Sequence, residues 1–179
     1  QNACREHDID KFVSIDADDP FFDGDLSHQS IETLGNSLDI VKHPVQQPNN
    51  GYYEGCVGYS IRLEIIERAC ELKTTNDTEM MWHYFIDTGL FNVEELNGVN
   101  PKYFRDDIRM TLDYKEDLVF FREVMNHSDN LNNFLSLDTI LSICDNHPHI
   151  KNTNYFRQAE FLKNQSSKKN LKIKDSIIN

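Results

Sequence analysis

Three acids fall within four positions at Asp16-Ala17-Asp18-Asp19, directly before Pro20. Carboxylates this close repel one another, and the repulsion is relieved by solvent, by protonation or by a cation. Mg²⁺ suits such a place. It takes oxygen ligands, keeps several waters, and is usually held by one or two carboxylates together with substrate phosphates. A further acid, Asp113, follows the run Ile108-Arg109-Met110-Thr111-Leu112. If that run is a strand, Asp113 stands at its carboxyl end, as Asp16, Asp18 and Asp19 stand after Phe12-Val13-Ser14-Ile15. In sheets covered by helices, ligands collect at those ends. Plainer roles are open too: Asp before Pro starts a turn, and Asp113 can cap the helix that follows it.

Other residues invite chemistry with less support. Arg109 and Lys115 flank Asp113 and suit an anionic ligand, or a surface ion pair one helical turn away. Gly55 and Gly58 let a ligand approach the backbone, or mark a turn and a bulge. His147-Pro148-His149 has no third ligand near it in sequence and reads as a solvated helix end. Cys4, Cys56, Cys70 and Cys144 form no CxxC pair, so structural zinc is not expected from them. They read as free thiols of a reducing cytoplasm, and the expected location is cytoplasmic.

The elements that must position these residues alternate. Residues 2–8 read as a polar helix, 12–15 as a strand, and 27–34 as a helix stopped by Gly35. Residues 39–41 and 56–61 are further strands. Ile61, Ile65, Ala69 and Leu72 recur at helical spacing over 62–73, and a helix resumes over 78–86. Trp82, Tyr84 and Phe85 on it, and Phe120 and Phe121 later, read as core. Residues 108–112 form the clearest later strand, followed by helices over 115–126, 137–145 and 155–163, with Ser136 as an N-cap and Pro148 as a stop. Strands separated by helices imply an α/β fold with a mostly parallel sheet flanked by helices.

The chain of 179 residues carries 18 Lys and Arg against 30 Asp and Glu, a net charge of −12. That balance argues against nucleic acid, whose binding relies on basic side chains. No apolar run is long enough to span a membrane. Residues 163–174 hold five lysines and no acid, and read as a solvated, frayed basic tail, with an anion or membrane contact as the other reading. The expected organisation is one domain over 1–162 and a tail over 163–179.

Residues 12–23, Phe-Val-Ser-Ile-Asp-Ala-Asp-Asp-Pro-Phe-Phe-Asp, resemble the central aspartate motif of the cytidylyltransferases that activate acidic and related sugars. These include the 3-deoxy-manno-octulosonate, acylneuraminate and spore-coat polysaccharide types. Residues 109–118, Arg-Met-Thr-Leu-Asp-Tyr-Lys-Glu-Asp-Leu, resemble their later motif, and 135–150 is similar to the ending of the spore-coat branch. The resemblance runs in order over residues 1 to about 162. It implies a Rossmann-like nucleotide-diphospho-sugar transferase fold and transfer of CMP from CTP to a sugar, releasing pyrophosphate, in surface polysaccharide synthesis. It implies Asp18 and Asp113 as the catalytic, Mg²⁺-binding pair, with Asp16 and Asp19 orienting them or their waters. Gly55, Gly58, Glu79 and Arg109 are the implied substrate contacts, although Met80 stands where many relatives have His after Glu79. Relatives are often homodimers through the segment matching 85–107. The basic, glycine-rich loop that wraps the triphosphate has no match here. The expectation is therefore a fragment truncated at its N-terminus by roughly 70–90 residues, one β-α-β unit and its loop, and inactive or nearly so alone. A non-catalytic binding domain of the same fold is the alternative.

Overall fold

Lys11–Ser14 (β1) is extended and followed by Asp23, whose carboxylate accepts from the Leu26 N–H at 2.8 Å and starts helix α2 (Gly24–Leu34). This cap places the helix start three residues earlier than Ser27. Gly35, at φ 48°, ends the helix in a conformation that disfavours side chains. The chain is described by a computed structural model over residues 2–44, 55–78, 80–128, 135–168 and 171–174. Besides β1 and α2 it contains α1 (Asn2–Glu6), β2 (Ile40–Lys42), β3 (Tyr59–Arg62), α3 (Leu63–Leu72), α4 (Met81–Ile86) and β4 (Val93–Glu95). The second half is helical: α5 (Lys115–Asn126), α6 (Leu137–Asn146), α7 (Pro148–Asn152) and α8 (Gln158–Lys168).

The fold is α/β, with one four-stranded sheet in the order β1-β3-β2-β4. The sheet is mixed rather than mostly parallel. β3 runs antiparallel to both β1 and β2, and only β2 and β4 are parallel. The cause is where β3 inserts. β1 and β2, joined through α2, point the same way but leave a slot between them, and β3 fills it in reverse. Alternation of strands and helices agrees with the shared direction of β1 and β2, but it carried no sign of the reversed β3 between them or of β4, which falls where the sequence shows no strand pattern.

Helices cover both faces. Ile40 and Ile61 pack on one face with Ile65, Ala69 and Leu72 of α3 and Tyr84 of α4. Val41 faces the other side, with Leu34 of α2, Phe120 and Phe121 of α5 and Ile140 of α6. Alternate residues of β2 thus feed two cores, as a strand's period of two requires. On the α2 side the buried Ser60 and Ser30 hydroxyls satisfy each other at 2.7 Å.

Residues 108–112 differ from expectation. They are extended, with Ile108, Arg109 and Met110 fully buried, but are not part of the sheet. Their hydrogen bonds go elsewhere: the Leu112 N–H donates to the Asp18 carbonyl at 2.9 Å, and the Arg109 carbonyl accepts from Asn154 Nδ2 at 3.1 Å. Pro148 does not only follow a helix end. α6 stops at Asn146 and Pro148 opens α7, where a missing N–H costs nothing. The basic tail is not frayed over its described part: α8 runs to Lys168, and Ile173 bridges antiparallel to Lys73 while packing on the second core with Leu171.

Candidate functional site

A cavity of about 430 Å³ opens at the carboxyl end of β1 and the amino end of β3. Asp16, Asp18 and Asp19 follow β1 and form one wall, and Asp113 with Thr111 joins them from the extended segment. The bond from Leu112 N to Asp18 O stitches those two segments together. This backbone contact is what brings two acids from distant parts of the chain to one opening. Facing them are Tyr59, Trp82, Phe161 and Lys168.

One carboxylate oxygen each from Asp16, Asp18 and Asp19 lie within 4.8 Å of one another. Burial, and then the Asp18 charge, raise the Asp16 carboxyl above the ordinary aspartate value. A group whose ionised form is disfavoured in this way is relieved by a cation. The donors are all oxygens, the ligand type that Mg²⁺ takes together with waters. Asp113 lines the same cavity but is not one of the three converging carboxylates. Its Oδ2 is held by Arg109 Nη2 at 2.5 Å.

Arg109 does not face the cavity. Its guanidinium is fully buried, with Nε on Asp117 Oδ1 at 3.0 Å, Nη1 on Gln158 Oε1 at 2.9 Å and Nη2 shared between Asp113 and Asp117. The Phe161 ring lies 4.3 Å from its central carbon. With its nitrogens thus engaged, Arg109 aims Asp113 instead of meeting a substrate anion, and is neither a ligand contact nor a surface ion pair. Asp117 is the hub: it also accepts from the Asp113 and Tyr114 N–H groups at 2.9 and 2.8 Å and from Asn154 Nδ2 at 2.9 Å. Sequence reasoning missed Asp117. The visible signal was its place in the first turn of α5, where an acid reaches back to free N–H groups.

Gly55 and Gly58 serve the backbone. A Cβ on Gly55 would sit 2.2 Å from the Met110 carbonyl oxygen, and one on Gly58 2.0 Å from that of Ser14. Gly58 also borders the cavity, whereas Gly55 lies behind it, against the segment that carries Asp113. Glu79 lies outside the described residues.

Three further residues join the site. Thr111 is buried, borders the cavity, and its hydroxyl has no hydrogen-bond partner among the described residues. Such a group can bond a ligand or a water that enters the cavity. Trp82 lines the cavity instead of the core, stacked on His83 with centroids 3.5 Å apart. His83 in turn holds Asp87 at 2.5 Å, its Nδ1–H donating to Oδ2. Helical aromatic spacing made Trp82 look like core together with Tyr84 and Phe85, and of the three Tyr84 and Phe85 do join the second core.

No family model, no curated protein and no solved structure matches this chain.

Proposed function

We propose that the chain carries the metal and sugar-side half of a cytidylyltransferase, which transfers CMP from CTP to a sugar and releases pyrophosphate. The observation that supports this most is that Asp18 and Asp113, far apart in sequence, line one cavity. The sequence resemblance selects the same two residues. The acidic wall and the orphan Thr111 hydroxyl provide polar contacts, and Trp82 and Tyr59 provide flat apolar surface for a sugar or base.

In this reading Asp16, Asp18 and Asp19 hold Mg²⁺, with Asp113 completing the acidic wall. When bound, the ion supplies positive charge to phosphate oxygens as charge builds on them. The chain's own residues do the positioning. Arg109 and Asp117 fix Asp113, and the stitch at Leu112 fixes Asp18. Thr111 hydrogen-bonds the ligand, and Lys168 also lines the cavity. The phosphate-cradling loop and the homodimer through 85–107 belong to the proposal through the resemblance alone. Phe104, in that dimer segment, is 45% exposed.

The test is pyrophosphate release from CTP with Mg²⁺ and a panel of acidic and neutral sugars, using the polypeptide translated with any coding sequence upstream of Gln1. Asp18→Asn and Asp113→Asn should each lower release by at least about 10²-fold. Undiminished release in either variant overturns the assignment. Nucleotide binding without turnover, and without dependence on Mg²⁺, selects the non-catalytic reading. The 179-residue chain alone should be inactive or nearly so, and turnover by it at ordinary rates of about 1–10³ s⁻¹ would remove the need for the loop.

A further inference from the structure

Three histidines gather at the opposite end of α5 from Asp113. His127 caps the C-terminus of α5, His147 sits at the junction of α6 and α7, and His149 lies in α7. Ring centroids are 4.5 Å apart for His127 and His147, 6.2 Å for His127 and His149, and 6.0 Å for His147 and His149. Glu123 stands one helical turn before His127 on the same face. One candidate ligand atom each from Glu123, His127 and His149 lie within 4.8 Å of one another.

The ring of His127 is already oriented. Its Nδ1 lies 2.8 Å from the Glu123 backbone carbonyl. A carbonyl only accepts, so Nδ1 donates to it and Nε2 is the ring nitrogen left for an ion, while the Glu123 carboxylate lies 3.9 Å from Nδ1. Metal-bound histidines commonly show this arrangement, with the second nitrogen donating to a carbonyl or carboxylate. The backbone holding the other two rings is fixed as well. The His147 N–H donates to the Ile143 carbonyl at 2.9 Å, the His147 carbonyl accepts from the Ile150 N–H at 2.9 Å, and the His149 carbonyl accepts from Thr153 Oγ1 at 3.1 Å.

We infer that Glu123, His127 and His149, with His147 beside them, form a binding site for a divalent transition-metal ion of the zinc class. Two imidazoles and a carboxylate are a common zinc donor set, and a fourth position is open to water or to His147. The set has too few oxygens for Mg²⁺ or Ca²⁺. Glu123 is half-buried while His127 and His149 are exposed, so an ion can reach the site from solvent. α5 has 12 residues and is about 18 Å long, which separates this site from the acidic cavity. A bound ion would tie α5 to the α6–α7 junction.

The test is zinc titration of the full 179-residue chain against a chromophoric chelator, with thermal melting alongside. The wild type should take up one equivalent of Zn²⁺ and melt higher with it. His149→Ala removes an exposed ring, so the fold is kept. That variant should bind at least about tenfold more weakly and lose most of the melting shift. An Asp16→Asn/Asp18→Asn variant should bind zinc like the wild type, which separates this site from the acidic cavity. Co²⁺ should give a visible absorption band in the wild type that His149→Ala lacks. Equal zinc binding by His149→Ala and the wild type overturns the site and places the ion on the cysteines or elsewhere. Failure of the wild type to bind zinc overturns it outright.

Discussion

The Asp117 carboxylate and the Arg109 guanidinium are both fully buried and bonded to each other. Asp117 also anchors the backbone at Asp113 and Tyr114, so one side chain holds both the start of α5 and the acid that faces the cavity. Asp117→Ala leaves a buried guanidinium without its main counter-charge, a change that typically costs about 3–5 kcal/mol. Urea unfolding should show that loss. A second ion pair sets an acid limit. Arg105, and then Lys151, hold the Asp107 carboxyl down at about 2, below its ordinary 3.8. A carboxyl lowered in the folded state stabilises fully above the ordinary value, and its contribution is lost as pH falls through the folded one. Stability of the wild type should therefore decline between about pH 4 and pH 2, and Asp107→Asn should show a shallower decline in that window. Equal slopes in chemical denaturation at several pH values would refute this role.

At the scale of elements, the site rests on close backbone approaches. The segment 108–112 lies against Gly55, and β1 lies against Gly58 just before β3 begins. Contacts of 2.2 and 2.0 Å from an added Cβ to carbonyl oxygens force the backbone to shift, since a carbonyl cannot swing away as the end of a side chain can. Gly55→Ala and Gly58→Ala should each destabilise by about 1–3 kcal/mol, the usual range for overpacking. Gly55→Ala moves the segment bearing Asp113 and should also weaken Mg²⁺-dependent nucleotide binding. A melting temperature equal to the wild type in both variants would show that the backbone yields freely there. Helices were the elements best read in advance. Apolar spacing and Ser136 placed α3, α5 and α6 within one or two residues, because capping and periodicity are local.

At the scale of the whole molecule, two cores flank the mixed sheet and the C-terminal segment closes the second one. The thiols report this layering. Burial pushes the Cys56 thiol well up and the Cys144 thiol to about 12, whereas Cys70 is exposed and Cys4 half-buried. A disulfide reagent in native buffer should modify Cys4 and Cys70 quickly and the other two only after unfolding. Rapid reaction of all four would mean the core opens readily. Among the described residues no helix is long and apolar enough to cross a membrane.

The sequence by itself determined helices α3, α5 and α6, the strand beginning near Phe12, the turn acids after it and the α/β class, since each follows from interactions within a few residues. It also marked Asp18 and Asp113 as the acids worth pairing. Only the tertiary structure decided that β3 enters in reverse between β1 and β2, that 108–112 lies outside the sheet, and that Arg109 is a buried strut beneath Asp113. It alone brought His127 to His149, and docked Leu171 and Ile173 on the second core. Those outcomes depend on which distant surface satisfies a given backbone or side chain. Local propensity holds no record of that partner, because the choice is made by the packing of the entire chain.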